Sequence, residues 1–196
     1  ASHEAIEAKG SISISAGSIS ATSSDDAINS GSDMTITGGN IYAFSSGNDG
    51  LDANGNMYAK GGYVYAVGTG SPEVALDANT EGGYKLYISG GSLVAFGGIE
   101  SGSSITQPVI NVTSWTANAS YTLCNGDTVL LEFTAPSKGG NGIVLSHPAL
   151  VSGSSYTLKT GSSSSTVTAT TSSSGGNGGS GFPGSGGNGG GPGGRH

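Results

Sequence analysis

Four short segments align without gaps: HEAIEA (3–8), DDAINS (25–30), NDGLDA (48–53) and EVALDA (73–78). Their apolar members Ile6, Ile28, Leu51 and Leu76 lie 22, 23 and 25 residues apart. Each segment is followed by two strand-like stretches with a glycine-containing turn between them. Repeats of this length, built from short strands and glycine turns, predict one coil of a β-solenoid each. Leucine-rich repeats have a similar period, but their Leu/Asn signature is absent.

The strand-like stretches alternate apolar with polar residues, as half-buried strands do. The first stretch of each repeat reads SISIS (11–15), DMTIT (33–37), NMYAK (56–60) and KLYIS (85–89). Aligning them predicts inward columns, of which one contains Ile12, Met34, Met57 and Leu86 and another contains Ala21, Ala43, Ala66 and Ala95. The fourth repeat carries an insertion, NTEGGY (79–84), which must loop out of the coil.

The repeat divides the chain into three predicted parts. Residues 1–98 form the coils of an all-β, right-handed parallel β-helix, and from Ile99 onward the repeat is lost. Residues 99–169 read as ordinary strands separated by turn residues, which predicts a C-terminal β cap on the open end of the solenoid. Residues 170–196 are rich in Gly and Ser and predict a disordered tail. Because HEAIEA stands almost at the first residue, we expect the chain to begin within a longer solenoid.

The composition excludes several classes of partner. Lys and Arg number 6 against 13 Asp and Glu, for a net charge of -7, which argues against binding to nucleic acid or to an anionic membrane. No apolar run approaches the ~20 residues that a membrane span requires, which argues against membrane insertion. The single Cys124 excludes an intrachain disulfide framework. A surface rich in Ser, Thr, Gly and Asn with so few charges favours a secreted or cell-surface protein. Nothing in the sequence predicts the oligomeric state.

Acidic and amide side chains recur at equivalent positions of the coils, which stack about 4.8 Å apart. At that spacing each pair of uncompensated carboxylates costs about 3 kcal/mol at an effective dielectric near 20. A hard divalent cation with oxygen ligands relieves this repulsion, so the columns predict bound Ca²⁺. The predicted ligands are Glu4, Glu7, Asp25, Asp26, Asn29, Asn48, Asp49, Asp52 and Asp77. The alternative is that Asp and Asn favour turns here and only cap local backbone groups.

Aromatic residues occupy positions that alternate with the inward columns and are therefore expected to face out. They predict a surface on which sugar rings stack, with a cation available for a uronate carboxylate. The predicted carbohydrate-binding residues are Tyr42, Tyr58, Lys60, Tyr65 and Tyr87. The alternative is that tyrosine stands there only because it is a good strand former.

Three long stretches carry a family resemblance: residues 23–56, which include DDAIN and NDGLDANG, residues 71–98, which include LDANTEGG, and the closing run 133–161. They resemble a bacterial carbohydrate-binding domain family typified by a clostridial cellulose- and polygalacturonate-binding protein. The resemblance implies a right-handed parallel β-helix with bound calcium, similar in architecture to pectate lyases but acting as a binder.

Three functions follow as hypotheses. The first is a non-catalytic, calcium-dependent module that binds acidic plant cell-wall glycans such as polygalacturonate, and also cellulose, at the bacterial surface. The second is a calcium-dependent lyase, for which Lys9, Lys60 and Lys85 are the only basic residues within the coils. The third is a structural solenoid in which calcium only holds the coils together. No catalytic residue is assigned, because no nucleophile motif occurs and the acidic residues are better explained as metal ligands.

Overall fold

The fold is known from a computed structural model, which describes residues 3–172. The predicted tail falls outside the described residues except for residues 170–172, and Thr170 forms a bridge with Val109 inside the cap. The described residues form strands and turns and contain no helix. The strands are β1 (Ile6–Ala8), β2 (Ile12–Ile14), β3 (Ser18–Ser23), β4 (Ile28–Ser30), β5 (Met34–Ser45), β6 (Leu51–Ala53), β7 (Met57–Val67), β8 (Leu76–Ala78), β9 (Leu86–Phe96), β10 (Ser104–Ile105), β11 (Val109–Val112), β12 (Ser120–Asn125), β13 (Thr128–Thr134), β14 (Ile143–Ser146), β15 (Ser155–Thr160) and β16 (Ser163–Thr168).

The first nine strands stack as the coils of a β-solenoid, which confirms the predicted all-β fold. The short strands β1, β4, β6 and β8 pair in parallel as one sheet, and β2, β5, β7 and β9 pair in parallel in a second. Ile12, Met34, Met57 and Leu86 are directly paired, as the alignment predicts. The last three of these side chains are fully buried, because a period of two turns every second residue into the coil.

The consecutive glycines at positions 38–39, 61–62 and 90–91 bend strands without ending them. In the second to fourth coils the two predicted strands are halves of one strand, β5, β7 or β9, whose register shifts at the glycines. A Cβ on Gly61 would collide with the carbonyl oxygen of Thr37 in the preceding coil, and Gly62 has a φ of 78°. Glycine is therefore required where neighbouring backbones approach this closely.

The solenoid extends further than the repeat predicts. Ile99 forms a parallel bridge with Leu76, and β10 pairs in parallel with Tyr87 and Ile88 of β9. The prediction that the repeat is lost from Ile99 onward is therefore wrong for the backbone: a partial fifth coil follows before the cap begins. The sequence conceals it because Ile99 and Glu100 are the only part of this coil that matches the earlier segments. The inserted residues 79–84 form an exposed turn, as expected.

The C-terminal strands cover both an edge and a face of the solenoid. Strand β14 pairs antiparallel with the second half of β9, and β11 pairs with β14, so the large sheet continues into the cap. Strands β13, β12, β15 and β16 form a separate antiparallel sheet. One apolar core fills the coils, and a second lies between the large sheet and the cap. Among the described residues, no helix is long and apolar enough to cross a membrane.

Candidate functional site

The sheet of short strands aligns the acidic residues. Glu7 pairs with Asn29, Asn29 with Asp52, and Asp52 with Asp77, one residue per coil. The preceding residues Ile28, Leu51 and Leu76 point into the core and are fully buried. The acidic or amide residue that follows each of them in the strand therefore points away from the core. The apolar-polar-small pattern of each segment therefore fixes this column.

Several of the predicted ligands form one hydrogen-bonded network across the coils. The Asn29 amide nitrogen donates to Oδ2 of Asp26 at 3.0 Å and to Oδ2 of Asp52 at 2.8 Å. In turn, Oδ1 of Asp26 accepts from the backbone N–H of Asp49 at 3.1 Å, and Oδ1 of Asp49 accepts from the N–H of Val74 at 2.5 Å. Asp26 and Asp49 thus accept from backbone N–H groups of the next coil, 23 and 25 residues away, and not from the local backbone that the turn alternative expects.

The carboxyl groups in this network are hard to ionise. Burial, assisted by the neighbouring carboxylates Glu73, Asp26 and Asp52, raises the pKa of Asp49 to about 8. Burial likewise raises the pKa of Asp52 to about 6, and burial together with a hydrogen bond to Glu100 raises the pKa of Asp77 to about 9. The charged groups with the largest effect on these three pKa values are other carboxylates. The cluster therefore lacks a cation that its own side chains could supply.

Among the described residues, two groups of side chains lie close enough to share a metal ion. Oxygens of Asp49, Asp52 and Asp77 lie within 4.8 Å of one another; Asp49 is buried, and Asp52 and Asp77 are half-buried. Atoms of His3, Glu4 and Asp25 lie equally close at the N-terminal end, where His3 is exposed. We call them the inner carboxylate group and the outer carboxylate group. Ligand oxygens around Ca²⁺ at 2.3–2.6 Å lie within about 5 Å of one another, so the three carboxylates of the inner group fit that ion, whereas the outer group offers it two carboxylates beside a histidine nitrogen.

The remaining predicted ligands lie beside these two groups. Asn48 donates its amide N–H to Oδ1 of Asp25 at 3.0 Å and so supports the outer group. Asp26 and Asn29 hydrogen-bond to members of the inner group, Asp26 to the N–H of Asp49 and Asn29 to Oδ2 of Asp52. Glu7 is exposed at the start of its column and belongs to neither group.

The sequence reasoning missed Glu100. Its Oε1 accepts hydrogen bonds from the hydroxyls of Ser101 at 2.8 Å and Thr80 at 3.2 Å, and its carboxyl group bonds to that of Asp77. The signal was present, because Ile99 follows Leu76 by 23 residues and Glu100 then follows Asp77 by the same interval. Glu100 is therefore the fifth member of the column that begins at Glu7.

The Tyr58 and Tyr87 rings lie on the outside of the solenoid, half-exposed and stacked on each other with centroids 5.0 Å apart and planes 13° apart. The ammonium nitrogen of Lys60 lies 4.5 Å from the centre of the Tyr58 ring. Because each ring covers one face of the other, the pair offers edges, hydroxyls and outer faces. The residue paired with Tyr87 on the next strand is Ser104, whose small side chain leaves that outer face accessible.

The prediction that Tyr65 is exposed is wrong. Tyr65 is buried, stacks on Tyr42 at 5.2 Å, and donates its hydroxyl to the carbonyl of Thr134 at 2.7 Å. The reason is the cap, which packs on the outward side chains at the end of the solenoid, Phe96 among them. Tyr42, two coils from Phe96, remains 39% exposed. Only Tyr42, Tyr58 and Tyr87 of the predicted rings can therefore reach a glycan.

Comparison with known proteins gives one match. A family model described as "Carbohydrate-binding domain-containing protein" matches residues 1–50. No curated protein and no solved structure matches the chain. The matched stretch holds the outer carboxylate group and ends just after Asp49, so it covers the coils in which the acidic columns begin. Over residues 1–50 the chain is therefore similar to a carbohydrate-binding domain family, in agreement with the family resemblance of its repeats.

Proposed function

We propose that the protein is a non-catalytic module that binds acidic polysaccharide, such as polygalacturonate, with the help of Ca²⁺ at the cell surface or outside the cell. The carbohydrate class is supported by the family match over residues 1–50. The observation that carries the calcium requirement is the inner carboxylate group, whose three acidic side chains lie together, one buried and two half-buried, and raise one another's pKa values.

The donors of the inner carboxylate group suit calcium better than other biological metals. All are carboxylate oxygens, which hard cations prefer, and the group contains no histidine or cysteine of the kind that zinc sites use. A bound divalent cation favours the ionised carboxylates and so opposes the effect of burial on their pKa values. Asp49 and Asp52 belong to one coil and Asp77 to the next, so a cation held by all three also joins two adjacent coils.

The outer carboxylate group is the better place for a glycan to meet a metal. His3 is exposed, and Glu4 and Asp25 are half-buried, so a cation held there keeps coordination positions that face solvent. A uronate carboxylate supplies the same kind of oxygen ligand as Asp or Glu. A shared cation also removes the repulsion between a polyanion and a protein with a net charge of -7.

The test is binding to polygalacturonate in calcium and in chelator. We expect calcium-dependent binding that Asp25→Asn weakens at least tenfold, because the outer carboxylate group loses a charged ligand. Asp127→Asn is the matched control, since Asp127 lies in an exposed turn of the cap. Equal binding in calcium and chelator would contradict the calcium requirement, and failure of the parent protein to bind any polysaccharide would contradict the function itself.

The tyrosine pair contributes a second, separable part of the proposal. Tyr58→Ala combined with Tyr87→Ala removes the outer ring faces beside Lys60, so we expect at least fivefold weaker glycan binding with calcium present. Tyr84→Ala is the control, because Tyr84 is 42% exposed in the inserted turn and is not one of the two stacked rings. If the double variant binds polygalacturonate as tightly as Tyr84→Ala, the pair is not part of the binding surface.

The lyase alternative is tested with the same preparation. A lyase would release unsaturated products from polygalacturonate, which are followed by ultraviolet absorbance with time. We expect no increase in absorbance above a heat-denatured control. A calcium-dependent increase would show that the protein is a lyase and would contradict the non-catalytic function. The family match supports a binding domain for the coils in which the outer carboxylate group lies.

A further inference from the structure

A cleft of about 470 Å³ lies in the cap, outside the residues that the family model matches. One wall is the loop 113–116 that follows β11, and the other is the hairpin of β15 and β16. The volume of the cleft falls within the range of about 300–1,000 Å³ that is usual for small-molecule sites.

The cleft is uncharged and carries both ring faces and hydroxyls. None of the residues that line it is acidic or basic. Trp115 and Tyr121 line its inner part beside Leu158, while Ser and Thr hydroxyls stand along both walls, among them Thr113 and Ser165. A polyanion would gain no counter-charge here, whereas a neutral sugar finds hydrogen-bond partners for its hydroxyls and apolar surface for its ring.

The two aromatic side chains are held in position. The indole N–H of Trp115 donates to the carbonyl of Gly140 at 3.0 Å, and its ring packs edge-on against Phe96 at 5.0 Å. Tyr121 accepts a hydrogen bond from the backbone N–H of Thr116 at 2.8 Å and stacks on Phe133 at 5.5 Å. Side chains that are already ordered lose little entropy when a ligand binds, which favours affinity.

We infer that this cleft is a second carbohydrate-binding site, which takes a short segment of neutral glycan and works independently of calcium. The choice of a saccharide rests on the proposed function, and the choice of a neutral one rests on the uncharged lining. The protein would then hold acidic glycan at the solenoid and neutral glycan at the cap. Such a pair of sites suits a wall material in which both polymers occur together.

The test uses Trp115, which is the only tryptophan in the chain. Titration with cellohexaose, xylohexaose and mannohexaose in chelator should give a saturable change in tryptophan fluorescence with at least one of them. Ser165→Arg places a bulky charge in the cleft and should raise Kd at least tenfold. Thr166→Arg is the matched control, because Thr166 is the next residue, equally exposed, and directed to the other face of β16.

The remaining outcomes separate this inference from the proposed function. Ser165→Arg should leave calcium-dependent binding to polygalacturonate unchanged, since the two sites share no residue. If polygalacturonate binds but no neutral hexasaccharide does, the cleft is not a sugar site and the proposed function stands. If Ser165→Arg instead changes the oligomeric state in analytical ultracentrifugation, the cleft is an interface between copies of the chain, and the inference fails.

Discussion

Asp49 has two roles with different requirements. Its Oδ1 accepts the backbone N–H of Val74, which joins two coils, while its buried charge faces other carboxylates. The first role needs only an oxygen atom, whereas the second needs a cation. The residue is therefore suited to a protein that is stable in calcium and weaker without it.

Asp49→Asn should separate these roles. The amide oxygen can still accept from Val74, so in chelator we expect a melting temperature equal to or above that of the parent protein. In calcium we expect at least half of the calcium-dependent stabilisation to be lost; for one site that stabilisation is about 2.7 kcal/mol at a 100-fold excess of calcium over Kd. Thermal melts of both proteins in both buffers check this, and Asp127→Asn should match the parent. If calcium raises the melting temperature of Asp49→Asn as much as that of the parent protein, Asp49 is not a calcium ligand.

The same carboxyl groups predict a dependence of stability on pH. The folded-state pKa values of Asp49, about 8, and Asp77, about 9, lie above the ordinary value of 3.8, so the folded protein binds protons more tightly than the unfolded chain. Their contribution is fully present below pH 3.8 and is lost as the pH rises toward 8 to 9.

In chelator, the free energy of unfolding should therefore fall between about pH 5 and about pH 9, the interval over which these raised pKa values act. In calcium the fall should shrink or reverse, because the metal binds the deprotonated groups. Denaturant titrations at several pH values, with and without calcium, measure both trends. A chelated protein that gains stability over this interval would show that these carboxyl groups ionise normally.

At the scale of elements, the bent strands depend on glycine where coils touch. A Cβ at Gly90 in β9 would collide with the carbonyl oxygen of Lys60 in the preceding coil. That carbonyl belongs to β7 and can move only if the strand pairing shifts. The same contact recurs between Gly61 and Thr37, so the bend is a property of the stack.

Gly90→Ala should therefore lower the free energy of unfolding by about 2 kcal/mol or more, the scale of locally stored strain. Gly10→Ala is the control, because a Cβ at Gly10 meets nothing within 4 Å, and we expect a change within about 0.5 kcal/mol. Urea titration of both variants gives the comparison. Equal stabilities would mean that the coils separate at the bend at no measurable cost.

At the scale of the whole molecule, the cap and the solenoid pack against each other through the second of the two apolar cores. Phe96, on the last full coil, is fully buried and contacts Tyr65 of the solenoid and Trp115 and Phe133 of the cap. Strand β14 adds hydrogen bonds to the edge of the same sheet. We therefore expect the two parts to unfold together.

Phe96→Ala should cost about 3–5 kcal/mol, the usual effect of removing a buried phenylalanine. Tyr42→Ala should cost clearly less, because Tyr42 is 39% exposed. In the parent protein, Trp115 fluorescence should report the cap and far-ultraviolet circular dichroism the whole chain, and their melting curves should coincide. Two separate transitions would show that the cap folds as an independent domain.

The sequence by itself determined the repeat and the inward columns. Its period of about 23 residues and its alternation leave only one register in which Ile28, Leu51 and Leu76 are all buried, so the pairing follows from hydrophobicity alone. The acidic column through Asn29, Asp52 and Asp77 follows from the same register.

Only the tertiary structure decided which outward residues stay exposed and where the coils stop. Tyr42 and Tyr65 share a column in the sequence, but the cap covers Tyr65 and leaves Tyr42 exposed, which no local pattern can indicate. Glu100 likewise joins the carboxylates because backbone pairing places Ile99 on Leu76 after the visible repeat has faded. The uncharged cleft at Trp115 is also a product of distant segments, β11 with its loop and the β15–β16 hairpin. Short-range periodicity specifies contacts between equivalent residues of adjacent coils, whereas contacts between non-equivalent segments depend on how the whole chain packs.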